Sequence, residues 1–386
     1  MKDISIYFKP IENYNQKDQK GFLNSRIQVH TENFFPDIEA NDLVLITVPE
    51  FRRSNVASEN QGEYPNFRKA LSELSDNGMN SNVLDLGVLE PGETIDDTCF
   101  ALKSAVAEIL KQQAIPIVVG GSHDLLLPLY QSYEETEQII NICTVDSKID
   151  LGNPSEKIED KRFLSHLLMH QPGHLFNYSI VGTQTHFLKT EELELFDRLY
   201  FDVLRLGEFK SDPKKAEPYI RNADLFNIDL DAMKYSDFQN HDASPNGISS
   251  DEICRISRYA GYSDKVSSFG LFGYDSSNDS KLQEANLLAQ IVWYFFDGHK
   301  QRKKDYPIGS KRMYSKYTVS IQEMKDDIVF YKSDKTERWW LEVPYPPEKG
   351  IKFERHYLIP CDYEDYEKAS SNELPDLWWK TYRKLI

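Results

Sequence analysis

The 386-residue sequence has only four cysteines, Cys99, Cys143, Cys254 and Cys361, and no two of them form a Cys-x-x-Cys pair. That scarcity and spacing exclude a zinc ribbon and a disulfide framework, and leave reduced, buried thiols as the expectation. Long apolar runs are missing too. No stretch approaches the roughly 18 consecutive apolar residues that a membrane-spanning helix needs. The opening MKDISIYFKPIE lacks a basic segment followed by an apolar one, so a cytoplasmic location is expected. Positive charge is in deficit: 45 Lys and Arg face 62 Asp and Glu, a formal net charge of −17. A negative field of that size repels nucleic acid and anionic membranes, and small ligands and metal cations fit it better. Glycine-rich nucleotide loops and a G-x-S-x-G nucleophile elbow are absent, as are internal repeats and low-complexity tracts.

What is present is a regular alternation. Short β-branched runs recur at 42–49, 81–89, 115–121, 140–146, 178–184, 198–206, 224–231 and 266–275. Amphipathic helix patterns separate them, at 66–77, 94–113, 124–135, 249–261 and 280–296 among others. The strand runs are nearly all apolar rather than alternating, which requires burial on both faces. The expected fold is therefore α/β, a three-layer αβα sandwich around a mostly parallel sheet of about eight strands. The expected organisation is an N-terminal segment over 1–34, the αβα domain over 35–298, and a C-terminal extension over 299–386, a small module of strands plus helix.

In open parallel sheets ligands bind beyond the carboxyl ends of the strands, so the polar residues there carry the functional argument. They are His123 after IPIVVGGS, Asp146 and Asp150 in TVDSKID, and Asp229 and Asp231 in FNIDLD. Each has a plain reading alone. A strand-end Asp is commonly a helix cap or turn residue, and a His after two glycines is commonly a loop residue. Together they put one imidazole and four carboxylates on one rim. Such a cluster stays ionised only with a cation among it, and its oxygens and imidazole suit manganese or magnesium better than zinc.

With GGSHD (120–124), D-x-x-x-D in VDSKID, and D-x-D in FNIDLD followed by SPNGISSDEI (244–253), the sequence resembles the ureohydrolase superfamily of arginase, agmatinase and, most closely in the GGSHD form, formimidoylglutamase. The resemblance covers about residues 35–298. It implies a pair of manganese ions sharing a hydroxide that attacks the carbon of a guanidinium or formimino group. It also implies His123, Asp146, Asp150 and Asp229 as ligands of one ion, and Asp146, Asp229 and Asp231 as ligands of the other. The resemblance further implies an oligomer.

Two departures follow from the same comparison. The residue expected to be a histidine ligand of the second ion is Lys148, which offers no lone pair while protonated. The expectation is that its ammonium stands where the second ion would sit, with turning outward to solvent as the alternative. Gly273 stands where the family carries an acidic substrate-recognition residue, and Asp275 could serve instead in a register shifted by two. At most one manganese ion is expected, and none is the other possibility. The expected protein is a weakly active or inactive homologue acting by binding a small molecule. The alternative is a metal-dependent hydrolase of a linear amidine, with Lys148 and Asp150 as its catalytic candidates.

The remaining signals are weaker. His170 and His174 are spaced for a helix face, but Pro172 and Gly173 make the segment a loop; His186 follows a strand end without partner spacing. Trp339, Trp340, Trp378 and Trp379 fall in the extension. They read either as the core of a small module or as a docking surface for a protein partner.

Overall fold

The computed structural model describes residues 3–11, 20–54, 64–239, 243–277, 279, 281–308, 310–322, 324, 326–346 and 353–386. The eight apolar runs become eight parallel strands: β3 (Leu43–Thr47), β4 (Val83–Leu89), β5 (Ile115–Val119), β6 (Ile140–Val145), β7 (Leu175–Thr183), β8 (Asp202–Arg205), β9 (Leu225–Asp229) and β10 (Ser268–Phe272). Two short strands, β1 (Phe8–Lys9) and β2 (Ile27–Val29), precede them and both pair with β4, β1 antiparallel and β2 parallel. The first 34 residues, expected to form a segment of their own, thus contribute two strands to the sheet. The sheet order is β1-β4-β3-β5-β10-β9-β6-β7-β8.

Strand residues bury alternately on the two faces, as the pleat demands. In β3, Leu43 and Leu45 join one core while Val44 and Ile46 join the other. The first core is closed by α1 (Pro65–Ser72), α6 (Leu206–Ser211), α7 (Glu217–Asn222), α8 (Ser250–Tyr262) and α9 (Gln283–Lys300). The second is closed by α2 (Ile95–Lys111), α3 (Leu126–Gln131), α4 (Leu164–Met169) and α5 (Thr190–Arg198). The helix starts are chemically marked. Thr94 and Asp97 form a reciprocal capping box at α2, and Ser249 with Glu252 does the same at α8.

The extension is an antiparallel sheet in the order β11 (Tyr314–Val319), β12 (Ile328–Ser333), β13 (Trp339–Glu342), β14 (Leu358–Cys361), followed by α10 (Tyr363–Ser370) and α11 (Asp376–Leu385). Trp339 and Trp378 pack into its core beside Phe330, Leu341 and Leu385, and Trp340 is fully buried. Three of the four tryptophans are therefore internal, and Trp379 alone of the four is exposed, at 46%.

The extension docks on the amino ends of β6 to β9. Arg221 donates from its two terminal nitrogens to the carbonyls of Trp339 (3.2 Å) and Cys361 (3.1 Å), and its guanidinium lies 4.6 Å from the Trp340 ring centre. Arg355 donates to Asp224 at 2.7 Å, His356 approaches the Ile139 carbonyl at 3.2 Å, and Lys380 pairs with Asp202 at 3.4 Å. Among the described residues these contacts fall at the amino ends of the strands, opposite their carboxyl ends. No helix among the described residues is long and apolar enough to cross a membrane.

Replacing Arg221 by Met removes two donors to buried carbonyls and one of the two cationic partners of Glu217, which lies 3.0 Å from Arg221 and 3.1 Å from Arg338. The expected cost is about 2–4 kcal/mol. Urea denaturation followed by tryptophan fluorescence should show it as a lower midpoint, and an unchanged midpoint would mean that the module is held elsewhere.

Candidate metal centre

Three strand ends supply the centre. After β5 the chain turns through Gly120 and Gly121, at φ +99° and +76°. A Cβ on Gly120 would lie 2.2 Å from the Tyr64 ring, and one on Gly121 would lie 2.8 Å from the Val48 carbonyl oxygen, so the turn admits only glycine. It delivers His123 to a short helical turn, where its backbone N–H donates to Asp160 at 2.7 Å. Beyond β6, Asp146 accepts from the Lys148 backbone N–H (3.0 Å), and the chain folds back so that the Leu164 N–H donates to the Asp150 carbonyl. At the end of β9, Asp229 accepts from the Asp231 backbone N–H at 3.1 Å. Because β5 and β6 lie on either side of the β10–β9 pair, these ends meet at one rim.

There the His123 Nδ1 lies 2.8 Å from Asp150, 3.4 Å from Asp229 and 3.6 Å from Asp146. One ligand-type atom from each of the four residues falls within 4.8 Å of the others, and all four residues are buried. The His123 Nε2 faces the Asn227 Oδ1 at 3.0 Å. The rings of Phe163 and Phe272 flank the imidazole, with centroids at 5.0 and 5.9 Å. Lys161 reaches in from the segment between Asp150 and α4, its ammonium 2.6 Å from Asp229 and 2.7 Å from Asp231.

The electrostatics follow from this crowding. Burial, then Asp150 and Asp229, push the Asp146 carboxyl well above the usual carboxylate range. Burial opposes charge on His123, but Asp229, the hydrogen bond that the ring donates to Asp150, and Asp146 outweigh it and push the imidazole up to about 10. Burial likewise opposes charge on Lys161, and Asp229 and Asp231 outweigh it, holding the ammonium well above the ordinary lysine range. The protein thus supplies two positive charges of its own to four carboxylates. One of these is a proton on a ligating atom, which a divalent cation can displace. The donor set, one imidazole and three carboxylates converging on one point, fits a single such ion. Asp229 and Asp231 are held together by the ammonium of Lys161.

The arginase-family profile matches residues 57–297, well over half of the chain. This chain belongs to the arginase family. Its fold is that of formimidoylglutamase from Bacillus subtilis, with a TM-score of 0.66 at 14% identity over 76% of this chain and 97% of that one. The formiminoglutamase of Trypanosoma cruzi, solved with Mn2+, gives 0.61 at 17% identity over 68% and 95%. The agmatine ureohydrolase of Thermoplasma volcanium gives 0.57 at 18% identity over 70% and 94%. At these identities the likeness is one of fold. No curated protein matches the sequence.

Within this arginase-family frame the structure corrects one expectation in particular. The half-buried Lys148 does not place its ammonium among the carboxylates: its Nζ lies over the Phe187 ring, 5.3 Å from the centroid. The residue that sits at Asp229 and Asp231 is Lys161, thirteen positions further on in a segment without motif or periodicity. The alternation of β6 and the turn after it point the Lys148 side chain toward the neighbouring β7 end. Only the return of 151–163 across the rim brings a lysine to β9. Asp160 ties this return to the His123 backbone, and its own N–H donates to the Arg53 carbonyl.

Gly273 has φ +92° and donates its N–H to the Gly121 carbonyl at 2.8 Å, so it serves the backbone of the rim. Asp275 is buried and accepts from both the N–H and the hydroxyl of Ser277, in a turn of its own. His170 and His174 lie in a loop, the first beside Glu134 and Gln131 and the second bonded to the Pro172 carbonyl. His186 is exposed against Phe187, at a centroid distance of 4.2 Å.

Since folded His123 keeps its Nδ1 proton up to about pH 10, a cation must displace that proton to bind. The apparent affinity for Mn2+ should therefore rise with pH, approaching tenfold per pH unit between about pH 6.5 and 9. Calorimetric titration in two buffers of different ionisation enthalpy should show at least one proton released per ion. An affinity independent of pH would show that His123 is not a ligand.

Proposed function

We propose that this protein is an arginase-family homologue with a single-ion centre, which binds a small ligand at the strand-end rim and hydrolyses it weakly or not at all. The observation that carries the reading is Lys161, whose ammonium bridges Asp229 and Asp231 at 2.6 and 2.7 Å. His123, Asp146, Asp150 and Asp229 would hold the ion. Bound there, a divalent cation supplies Lewis acidity toward a ligand heteroatom.

The protein's own residues do the rest. Lys161 neutralises two carboxylates and keeps them from a second ion, while its 27% exposure leaves a donor within reach of a ligand entering from solvent. Asp150 anchors the His123 ring through Nδ1. Lys148, placed over Phe187, stands at the border of the same rim rather than inside it. Gly273 brings no carboxylate to recognise a cationic substrate. The separate apolar cluster around Trp339 and Trp378 supports residues 299–386 as a distinct extension of the 35–298 unit, and Trp379 is its one exposed indole for a partner. Likeness to the family supports an oligomer in the cytoplasm.

A second reading is favoured by the intact gathering of His123, Asp146, Asp150 and Asp229: a one-ion hydrolase of a linear amidine such as formimidoylglutamate or a guanidino compound. The two readings separate in one comparison. Elemental analysis and calorimetry with Mn2+ should give no more than one ion per wild-type chain, and two in the Lys148→His/Lys161→Ala variant. A panel of formimino and guanidino compounds should yield from the wild type no more than slow, trace-level manganese-dependent formamide, urea or ammonia. Two ions in the wild type would refute the proposal. Turnover at a rate ordinary for an enzyme, about 1 per second or faster, that vanishes in Asp229→Ala would establish the hydrolase instead.

A further inference from the structure

The histidine ring at the centre is held by a group that is not among its expected ligands, the asparagine of FNIDLD. Asn227 lies two residues before Asp229 on β9 and is fully buried. Its amide nitrogen donates to the Thr144 hydroxyl oxygen at 2.9 Å and approaches the Cys143 carbonyl at 3.4 Å. Thr144 in turn donates its hydroxyl to the Tyr178 phenol at 2.7 Å. A carbonyl can only accept, so turning the amide over would set two oxygens against each other across β6 and β9. The nitrogen of Asn227 is therefore committed to β6, and its oxygen must face the His123 Nε2 at 3.0 Å. An oxygen acceptor at that distance requires a hydrogen on Nε2. The other ring nitrogen, Nδ1, is then the one presented to Asp150, Asp229 and Asp146.

We propose that Asn227 is a positioning residue that selects the Nε2–H tautomer of His123, aims Nδ1 into the carboxylate cluster, and so sets the affinity of the centre for a divalent cation. The inference rests on the single-ion reading of the site. Asn227 touches the His123 ring and not the ion position, so it works entirely through that ring. Partners that orient a histidine ligand in this way typically change metal affinity by roughly 10–100-fold when removed. A leucine at 227 keeps the branched outline and the number of heavy atoms of the side chain and removes the acceptor.

The test uses the full-length protein with selectively 15N-labelled histidine, the His123 signals being assigned from their loss in His123→Asn. In the metal-free wild type, His123 should show a slowly exchanging Nε2–H, and with Zn2+ as a diamagnetic probe the cation should sit on Nδ1 with Nε2 still protonated. In Asn227→Leu the slow Nε2–H should be lost and the Mn2+ dissociation constant should rise 10–100-fold, with far-ultraviolet circular dichroism unchanged. Zn2+ on Nε2 in the wild type would overturn the inference, and that measurement needs no variant to fold. Mn2+ binding by Asn227→Leu within threefold of the wild type would overturn it as well. Absence of any Mn2+ binding by the wild type would overturn the single-ion reading, recognisable because the metal-free Nε2–H signal would still be present and still dependent on Asn227.

Discussion

Everything at the rim answers to one constraint: four carboxylates, Asp146, Asp150, Asp229 and Asp231, are buried at the ends of the two adjoining strands β6 and β9, where they cannot all stay ionised without positive charge beside them. In a two-ion centre that charge would come from metals. Here the chain meets part of the demand with its own side chains, a protonated His123 and the ammonium of Lys161. An ammonium carries half the charge of a divalent cation and donates hydrogen bonds in fixed directions, so it can hold two acids together without polarising anything placed against them.

The segment that carries Lys161 shows how such a replacement is anchored. The backbone of 151–163 crosses from the β6 end to α4 and is tied at both ends to the residues it serves, through the Asp150 carbonyl and through Asp160 on the His123 N–H. The lysine is therefore part of the centre's architecture, held in place by the same residues whose charge it balances.

Much of this was legible in the sequence because it depends on local rules. The eight apolar runs are the eight parallel strands, since burial on both faces leaves no room for alternation. GGSHD, VDSKID and FNIDLD meet because parallel strands place their carboxyl ends on one side. An ammonium among these carboxylates was expected of Lys148; the one found at Asp229 and Asp231 belongs to Lys161. Lys148 sits in a motif, and sequence reasoning follows motifs. Lys161 reaches the same carboxylates from a segment without periodicity, through a chain reversal that no residue pattern encodes. Asn227 was hidden for a related reason: within an apolar strand run, a lone amide gives no sign of which partner it faces. The extension's tryptophans were ambiguous because composition does not distinguish a core from a contact surface. The antiparallel pairing of β12 and β13 decides it by turning Trp339 and Trp340 toward packed neighbours.

Gly273 carries a consequence for substitution at the rim. Its backbone lies at φ +92°, a conformation that a side-chain-bearing residue adopts only under strain of about 1–3 kcal/mol, and its N–H is committed to the Gly121 carbonyl beside the histidine turn. An acid placed at 273 would therefore load its strain onto the end of β10 and, through that one hydrogen bond, onto the turn that delivers His123. Electrostatic gain at this position and backbone ease at its neighbour pull in opposite directions.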